Sequence, residues 1–566
     1  MNRIPDTGTA KDLRNLVKSV FISALPKDSR ARQIAEQADD PVNADSFLRG
    51  KAEFDRAAAA LRQLPDSSEG GKIRFRDTNQ DRLTSAGLVV AQWQKATADR
   101  GTIFSGVGAL GPTIMVVQVD GVDLNTLWQD DAFGEPLQAK GNSEASVHVF
   151  ETTPSLNLPK QPDLDNGVII FEHGGQVSVK RRGNTSRRDP KVNISVYLDN
   201  DEESGIPRQL CLSNSIRDPS YQRIRLAFDL LGLANCPVRP NIYAELTLNG
   251  AYYGTYVAMP PMDEYHFNEL LPGVKHRAIF KGNYGDLPGG APLAMRGNHG
   301  SDYFTPNSRP GSRSYEPRLD TPDSDYESLA SFITAFHSQD PTSAAFVDTV
   351  RKILDIERFL RTMVVVNLLG SWDTYYLNSQ NYFLHLAVDD SAHNLPFATF
   401  SLNDVDSLIG VSWPGQKRNW QDKDLLFRGT EKGEIPLITR SLANPKFQAY
   451  YLDFMEWFVH NHFNVESVRS IQVPRWSILE QSVYLESDTP FSNPHTGRPW
   501  ANDQVYRASI LSDSLTADQG PVAGIRVDGI ETFVNARGKK VLGQLAGMPR
   551  ASSGVDFDSN NWSLPA

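Results

Sequence analysis

The period of the apolar positions changes along the chain. Within residues 1–70 it is helical. Leu13, Leu16, Val17, Val20 and Phe21 fall on one face of a segment near 10–37, and "ADSFLRGKAEFDRAAAALRQL" predicts a second helix near 44–64. "PDSSEGG" (Pro65–Gly71) reads as a linker. From 112 to 260 the pattern is mainly that of strands: "PTIMVVQVDG", "ASVHVFET", "GVIIFEHGGQVSVKRRG", "VNISVYL" and "NIYAELTLNGAYYGTYVAM". One helix, Asp218–Leu233, interrupts them. From 326 onward helical spacing dominates, in "YESLASFITAFHS", "DIERFLRTMVVVNLL", "PKFQAYYLDFMEWFVHNHF" and "GIETFVNARGKKVLGQLAG". Between the halves runs a Gly/Pro/Ser-rich stretch over roughly 282–324, whose length suits a lid, a binding loop or an insert. The order predicts an α+β chain of two lobes with a ligand crevice between them. The expected boundaries are a helical extension at 1–70, an accessory segment at 71–110, a strand-rich lobe at 111–262, a mostly helical lobe at 263–550 and a tail at 551–566.

Composition narrows the classes. A chain of 566 residues has room for two to four domain-sized units. A formal net charge of −11 argues against a general nucleic-acid binder while leaving room for local basic patches. No apolar run approaches the roughly 20 residues of a membrane span; the longest, "RTMVVVNLLGSW" (Arg361–Trp372), reads as a buried helix. The N-terminus lacks a signal-peptide layout, and Cys211 and Cys236 alone support neither a disulfide framework nor a four-ligand zinc site, so a cytoplasmic address is the default expectation. "RDTNQDRLTSAG" places Asp77, Asn79 and Asp81 like the first ligands of a calcium loop, but Arg82 and Leu88 stand where that loop needs Gly and Glu, so a polar turn is the expected reading.

Three clusters carry chemistry. "KRRGNTSRRDPK" (Lys180–Lys191) is a basic hairpin tip in an acidic chain; turn N–H groups with Arg and Lys beside them can wrap polyphosphate oxygens. In "GSWDTYYLNSQNYFLHL" (Gly370–Leu386), Asp373 follows the end of an apolar helix and Asn381 heads a strand, a pairing able to orient a nucleophile's proton and offer oxygen to Mg²⁺. In "FATFSLNDVDSLIG" (Phe397–Gly410), a strand runs into Asp404 and Asp406, carboxylates costly to place together without a cation. Taken singly, each is also compatible with an ordinary polar turn. Together they form a parts list for phosphoryl transfer. The histidines of "HNH" (His460–His462) do not share a helical face, and no GxSxG, HExxH or GxxxxGK[ST] is present.

These residues resemble the spore-coat-protein-H (CotH) kinases, atypical protein kinases. The resemblance runs in order over about 110–548: Arg182-Gly183-Asn184-Thr185-Ser186 with Pro190-Lys191; Asp218, Ser220 and Arg223; Leu248-Asn249-Gly250 with Tyr252, Gly254 and Tyr256; Phe280-Lys281-Gly282; Trp372, Asp373, Asn381 and Tyr382; Asp404, Asp406 and Gly410; and the closing "FVNARGKKVLGQL". It implies a divergent two-lobed protein-kinase-like fold, with an N-terminal helical extension here, that binds ATP and Mg²⁺ and phosphorylates Ser or Thr of protein substrates, with autophosphorylation among the expectations. By position, Asp373 would be the catalytic Asp. Asn381, Asp404 and Asp406 would hold the metal, and Arg182, Gly183, Asn184, Ser186 and Lys191 would face the nucleotide phosphates. Arg223 would stand behind them and Lys281 would complete the nucleotide side. The chain departs from the family pattern in keeping Lys191 alone where a second Lys is usual, in Pro260 where an acidic residue is expected (Asp263 or Glu264 being the available substitutes), and in Leu402-Asn403 before the metal Asp. Two other readings stay open on that account: a non-catalytic structural or adhesion-type protein, and transfer of another group such as AMP.

Overall fold

The computed structural model describes residues 114–120, 146–152, 168–174, 177–183, 191–198, 209–239, 241–249, 251–262, 276–284, 290–304, 313–318, 325–388, 395–412, 419–428, 435–472, 475, 479, 515–516, 524–559 and 562–565. The helices expected over 1–70, the segment 71–110 and the Asp77–Asp81 turn lie outside the described residues, as do Asn184, Ser186, Asp263 and Glu264.

The alternating sequence builds an eight-stranded sheet. Its strands are β1 (Ile114–Asp120), β2 (Ser146–Thr152), β3 (Val168–Gly174), β4 (Val177–Arg182), β5 (Asn193–Leu198), β6 (Gln209–Ser213), β7 (Ile242–Leu248) and β8 (Ala251–Met259). They lie in the order β3-β2-β1-β7-β8-β6-β5-β4. β1 and β7 are parallel and the other pairs antiparallel. β6, "QLCLS", is a five-residue strand, too short for its alternation to stand out in the sequence pattern; it joins β5 to β8 and buries Leu210 and Leu212 completely.

Helix α1 (Arg223–Leu233) buries Ile224, Leu226, Ala227, Phe228, Leu230 and Leu231. It begins five residues later than expected, because Asp218–Gln222 form a turn. The Asp218 carboxylate takes the main-chain N–H groups of Ser220 (2.9 Å) and Arg223 (2.8 Å), and Tyr221 sits at φ 57°. An Asp before Pro that satisfies the first helical amides is a start signal.

The region after 263 is less helical than its spacing predicts. Strands β9 (His276–Gly282), β10 (Tyr315–Pro317), β11 (Tyr382–Val388) and β12 (Pro396–Leu402) form a second, antiparallel sheet in the order β10-β9-β11-β12. Helices α2 (Asp325–His337), α3 (Ala344–Ile353), α4 (Ile356–Leu368), α5 (Tyr375–Asn378), α6 (Pro436–Ala443), α7 (Pro445–Asn461) and α8 (Ile530–Ala546) supply the rest of a continuous core. The architecture is mixed α+β, with largely antiparallel sheets and packed helices. Among the described residues no helix is long and apolar enough to cross a membrane.

α4 is buried along its length apart from Glu357 and Arg358. Its end is set by Gly370 at φ 60°: the Gly370 and Ser371 N–H groups return to the Asn367 (3.1 Å) and Val366 (3.1 Å) carbonyls. A Cβ on Gly370 would lie 3.0 Å from both Phe533 and Trp420, so the position is closed to side chains twice over. The stop releases Ser371-Trp372-Asp373 at a fixed angle.

Candidate active site

The second sheet's register collects the site. Tyr382 pairs with Gly282 on one side and Leu402 on the other, so Lys281, Asn381 and Asn403-Asp404 all sit at one end of the sheet. Asn381 ties them: its N–H donates to the Gly282 carbonyl (3.1 Å) and its carbonyl accepts from Asn403 N–H (2.9 Å). Its side-chain amide donates to the Asp373 carbonyl (2.8 Å). It does this at φ 58°, where Asn is among the few non-glycine residues tolerated.

Asp373 is held by Asn378 (2.6 Å) and Gln380 (2.5 Å), both donating to Oδ1. Among the described residues Oδ2 carries no hydrogen bond. Burial raises its pKa above the ordinary carboxylate range and the charge of Asp406 adds to this, against the pull of Asn378, Gln380 and Arg217. Trp372 fastens this segment to the next: its N–H donates to the Ser407 carbonyl (3.2 Å), its indole N–H to the Val411 carbonyl (2.8 Å), and its ring stacks on Trp420 at 5.8 Å. Ile409 N–H closes the link to the Leu369 carbonyl at 2.7 Å.

Asp404 and Asp406 differ. Asp406 accepts from Ser407 Oγ (2.8 Å) on one oxygen and pairs with Arg217 Nη1 (3.2 Å) on the other. Asp404 keeps an open face to solvent yet is crowded by protein, and among the described residues it has no hydrogen-bond or ion-pair partner. Its carboxyl is pushed up to about 7, first by poor hydration, then by Asp406 and Asp373, with Arg182 and Arg217 opposing. Among the described residues no three His, Cys, Asp or Glu side chains stand ready-gathered around a metal position.

On the basic side, Arg182 ends β4, and its Nη1 is buried without a hydrogen-bond partner among the described residues. Gly183 follows at φ 97°, a conformation the turn can obtain only from glycine. Lys281 has its pKa lowered to about 8 by burial, with Glu316 and Asp404 pulling it up and Arg318 and Arg182 pushing it down. The acidic and basic residues therefore share one electrostatic neighbourhood.

Lys191 and Arg223 both point into the protein. The Lys191 ammonium is buried, donating to the Thr255 carbonyl and lying 4.5 Å over the Tyr256 ring and 5.0 Å over the Tyr221 ring. Arg223 is wholly buried: it pairs with Asp218 (2.5 Å) and Ser220 (3.1 Å), and donates to the Ile409 carbonyl (3.3 Å) and to that of Asp528. Both brace the site from behind. Arg217, by contrast, was not singled out by any spacing rule and proves central. The turn that carries it joins the two halves: Asn214 binds the Lys191 carbonyl and Asn193 side chain (2.6 Å), Arg217 binds Asp406, and Arg223 binds the Gly410 end of the acidic segment. The run of polar residues "NSIRDPSYQR" was the only available signal.

Comparison with known proteins can now be set beside this geometry. The family model described as "CotH kinase protein" matches residues 179–496, more than half of the chain. The chain belongs to the CotH family. Its curated relatives include three proteins of Rhizopus delemar. "Spore coat protein homolog 1" is 26% identical over 42% of this chain and 38% of its own length. "Invasin CotH2" is 26% identical over 34% and 31%, and "Invasin CotH3" 23% identical over 57% and 52%. The chain thus spans about a third to a half of the length of these relatives. The CotH match begins on β4, at the basic hairpin, and takes in Asp373, Asp404 and Asp406.

Proposed function

We propose that this CotH-family chain is a Mg²⁺/ATP-dependent phosphotransferase acting on Ser or Thr of protein substrates. In this reading it is a divergent two-lobed kinase-like fold, with the eight-stranded sheet on the nucleotide side and the region after 263 carrying the catalytic segments. The observation that supports it most is a pair of unmet charges. Asp404 feels the charge of Arg182, yet among the described residues the two form no ion pair, and there the carboxylate lacks a partner and so does Arg182 Nη1. A cation next to Asp404 and an anion next to Arg182 would satisfy both, and a metal polyphosphate is such a pair. Asp404, Asp406 and the Asn381 side-chain oxygen would hold Mg²⁺, which when bound supplies neutralisation of the phosphate charge.

The chain's own residues then divide the work. Asp373, with Oδ1 fixed by two amides, offers Oδ2 to the substrate hydroxyl and takes its proton; its raised pKa improves it as a base near neutrality. Arg182 and Lys281 receive phosphate oxygens, and Asn381 keeps Asp373 in register with both. Transfer of label from γ-labelled ATP tests this. Wild type should label a protein acceptor, and Asp373→Ala and Asp406→Ala should not. Equal labelling in all three would sink the assignment, and intact mass would separate phosphate from a heavier adduct such as AMP.

A second reading draws on the invasin names of the relatives and on Lys191 being turned inward: a non-catalytic adhesion-type protein that works at a cell or spore surface rather than in the cytoplasm. It expects no thermal stabilisation by ATP with Mg²⁺, whereas a ligand at 100 times its Kd adds about 2.7 kcal/mol.

A further inference from the structure

We propose that Arg217 holds the place of the divalent cation, neutralising Asp406 while no cation is bound and yielding that carboxylate to the metal, to move onto the phosphates arriving with it. This rests on the phosphotransfer reading and adds a positioning residue to it.

Arg217 stands on a fixed platform. The following turn is closed by Asp218 N–H to the Ser215 carbonyl (2.8 Å) and Tyr221 N–H to the Asp218 carbonyl (3.0 Å), and the Asp218 carboxylate is locked to Arg223. From there Nη1 reaches Asp406 Oδ2 at 3.2 Å, with the arginine side chain 10% exposed and the aspartate 27%. Ser407 Oγ bonds the other oxygen, so a metal approaching Asp406 meets a guanidinium charge already on one oxygen and a hydrogen-bond donor on the other. The groups facing Asp406 are Arg217, Ser407, Asp404 and Asp373; Arg217 also pulls on the charges of Asp404 and Asp373. One guanidinium thus serves three carboxylates, as a divalent cation would with twice the charge. Asp404, open and without a partner among the described residues, is the natural first contact for an incoming metal. A displaced guanidinium is a forked donor suited to phosphate oxygens, the chemistry that arrives with the metal.

The test is binding of Mn²⁺, read as loss of the free-ion EPR signal, to the full chain with and without ATP. Without nucleotide, Arg217→Gln should bind Mn²⁺ roughly ten-fold more tightly than wild type, since a competing positive charge is gone. Adding Asp406→Asn should remove that gain. With ATP the advantage should vanish or reverse, because the guanidinium is missing from the phosphates. Arg217→Lys keeps the charge but has shorter reach and should bind Mn²⁺ with an affinity between those of wild type and Arg217→Gln; should the Gln variant not melt cooperatively, a folded Lys variant no tighter than wild type without nucleotide overturns the exchange. A folded Arg217→Gln that binds Mn²⁺ no more tightly than a wild type that takes Mn²⁺ with ATP overturns the exchange alone. A wild type that takes no Mn²⁺ even with ATP overturns the phosphotransfer reading and the exchange with it.

Discussion

The side-chain amide of Asn381 donates to the main-chain carbonyl of Asp373 at 2.8 Å, while its own backbone bonds Gly282 and Asn403. One residue thereby sets the spacing between the base, the Lys281 strand and the acidic segment. Asn381→Ala should lose this hydrogen bond and strain a backbone at φ 58°, costing about 1–3 kcal/mol in chemical denaturation. Asn381→Gly removes the strain but not the loss of register. Both should lower phosphate transfer about a hundred-fold, and the glycine variant should do so with the smaller fall in stability. Transfer unchanged in Asn381→Gly would remove Asn381 from the site.

Lys191 and Arg182 share one basic hairpin but should behave oppositely. Lys191 is buried among Tyr221, Tyr256 and the Thr255 carbonyl, so Lys191→Met should destabilise the fold by about 1–3 kcal/mol while leaving nucleotide affinity within a few-fold. Arg182, whose Nη1 has no partner among the described residues, should show the reverse on change to Met: a Tm near wild type and ATP affinity lower by about ten-fold or more. Calorimetric titration beside thermal melts separates the two patterns.

Much of this is legible in the sequence alone. Period-two runs marked most of the large sheet, and the apolar run after Asp355 marked α4 and placed Asp373 beyond its end. What stayed hidden was non-local. β9 and β11 lie about 100 residues apart in sequence, and no local pattern states that Gly282 will pair with Tyr382, the register that brings Lys281 to Asn381 and Asp404. Nor does composition reveal which way a cation points. Lys191 and Arg182 look alike in "KRRGNTSRRDPK", yet one meets aromatic rings and the other has a nitrogen without an acceptor. Arg217 was invisible because its partner, Asp406, is 189 positions away.

Asp404 should trade stability for function. Its folded-state pKa is raised to about 7, so the stability it contributes is present below about 4 and lost as pH rises through 7. At pH 8 without Mg²⁺, Asp404→Asn relieves repulsion from Asp406 and Asp373 and should raise stability by no more than about 1 kcal/mol, since the open face to water screens the charge. The same change should abolish any rise in Tm caused by Mg²⁺ with ATP. A variant less stable than wild type at pH 8, or one that keeps the ligand-dependent rise, would contradict the assignment.

Lys281 gives a pH signature of its own. Burial holds its pKa at about 8 against an ordinary 10.5. Between those values the unfolded chain binds more protons than the folded one, so this group makes stability rise with pH from about 8 to about 10.5. Nucleotide binding should run the other way. A phosphate beside the amine favours the ammonium form and raises its pKa, so binding near pH 8.5 must take up protons, and affinity must fall as pH climbs further. Titration calorimetry in two buffers of different ionisation enthalpy measures that uptake directly. At pH 8.5 wild type should take up a fraction of a proton more per nucleotide than Lys281→Met, and at pH 6.5, where Lys281 is already charged, the two proteins should differ little, since Asp404 titrates in both. Equal uptake in both proteins would place the amine away from the phosphates and leave Arg182 as the principal cation of that side.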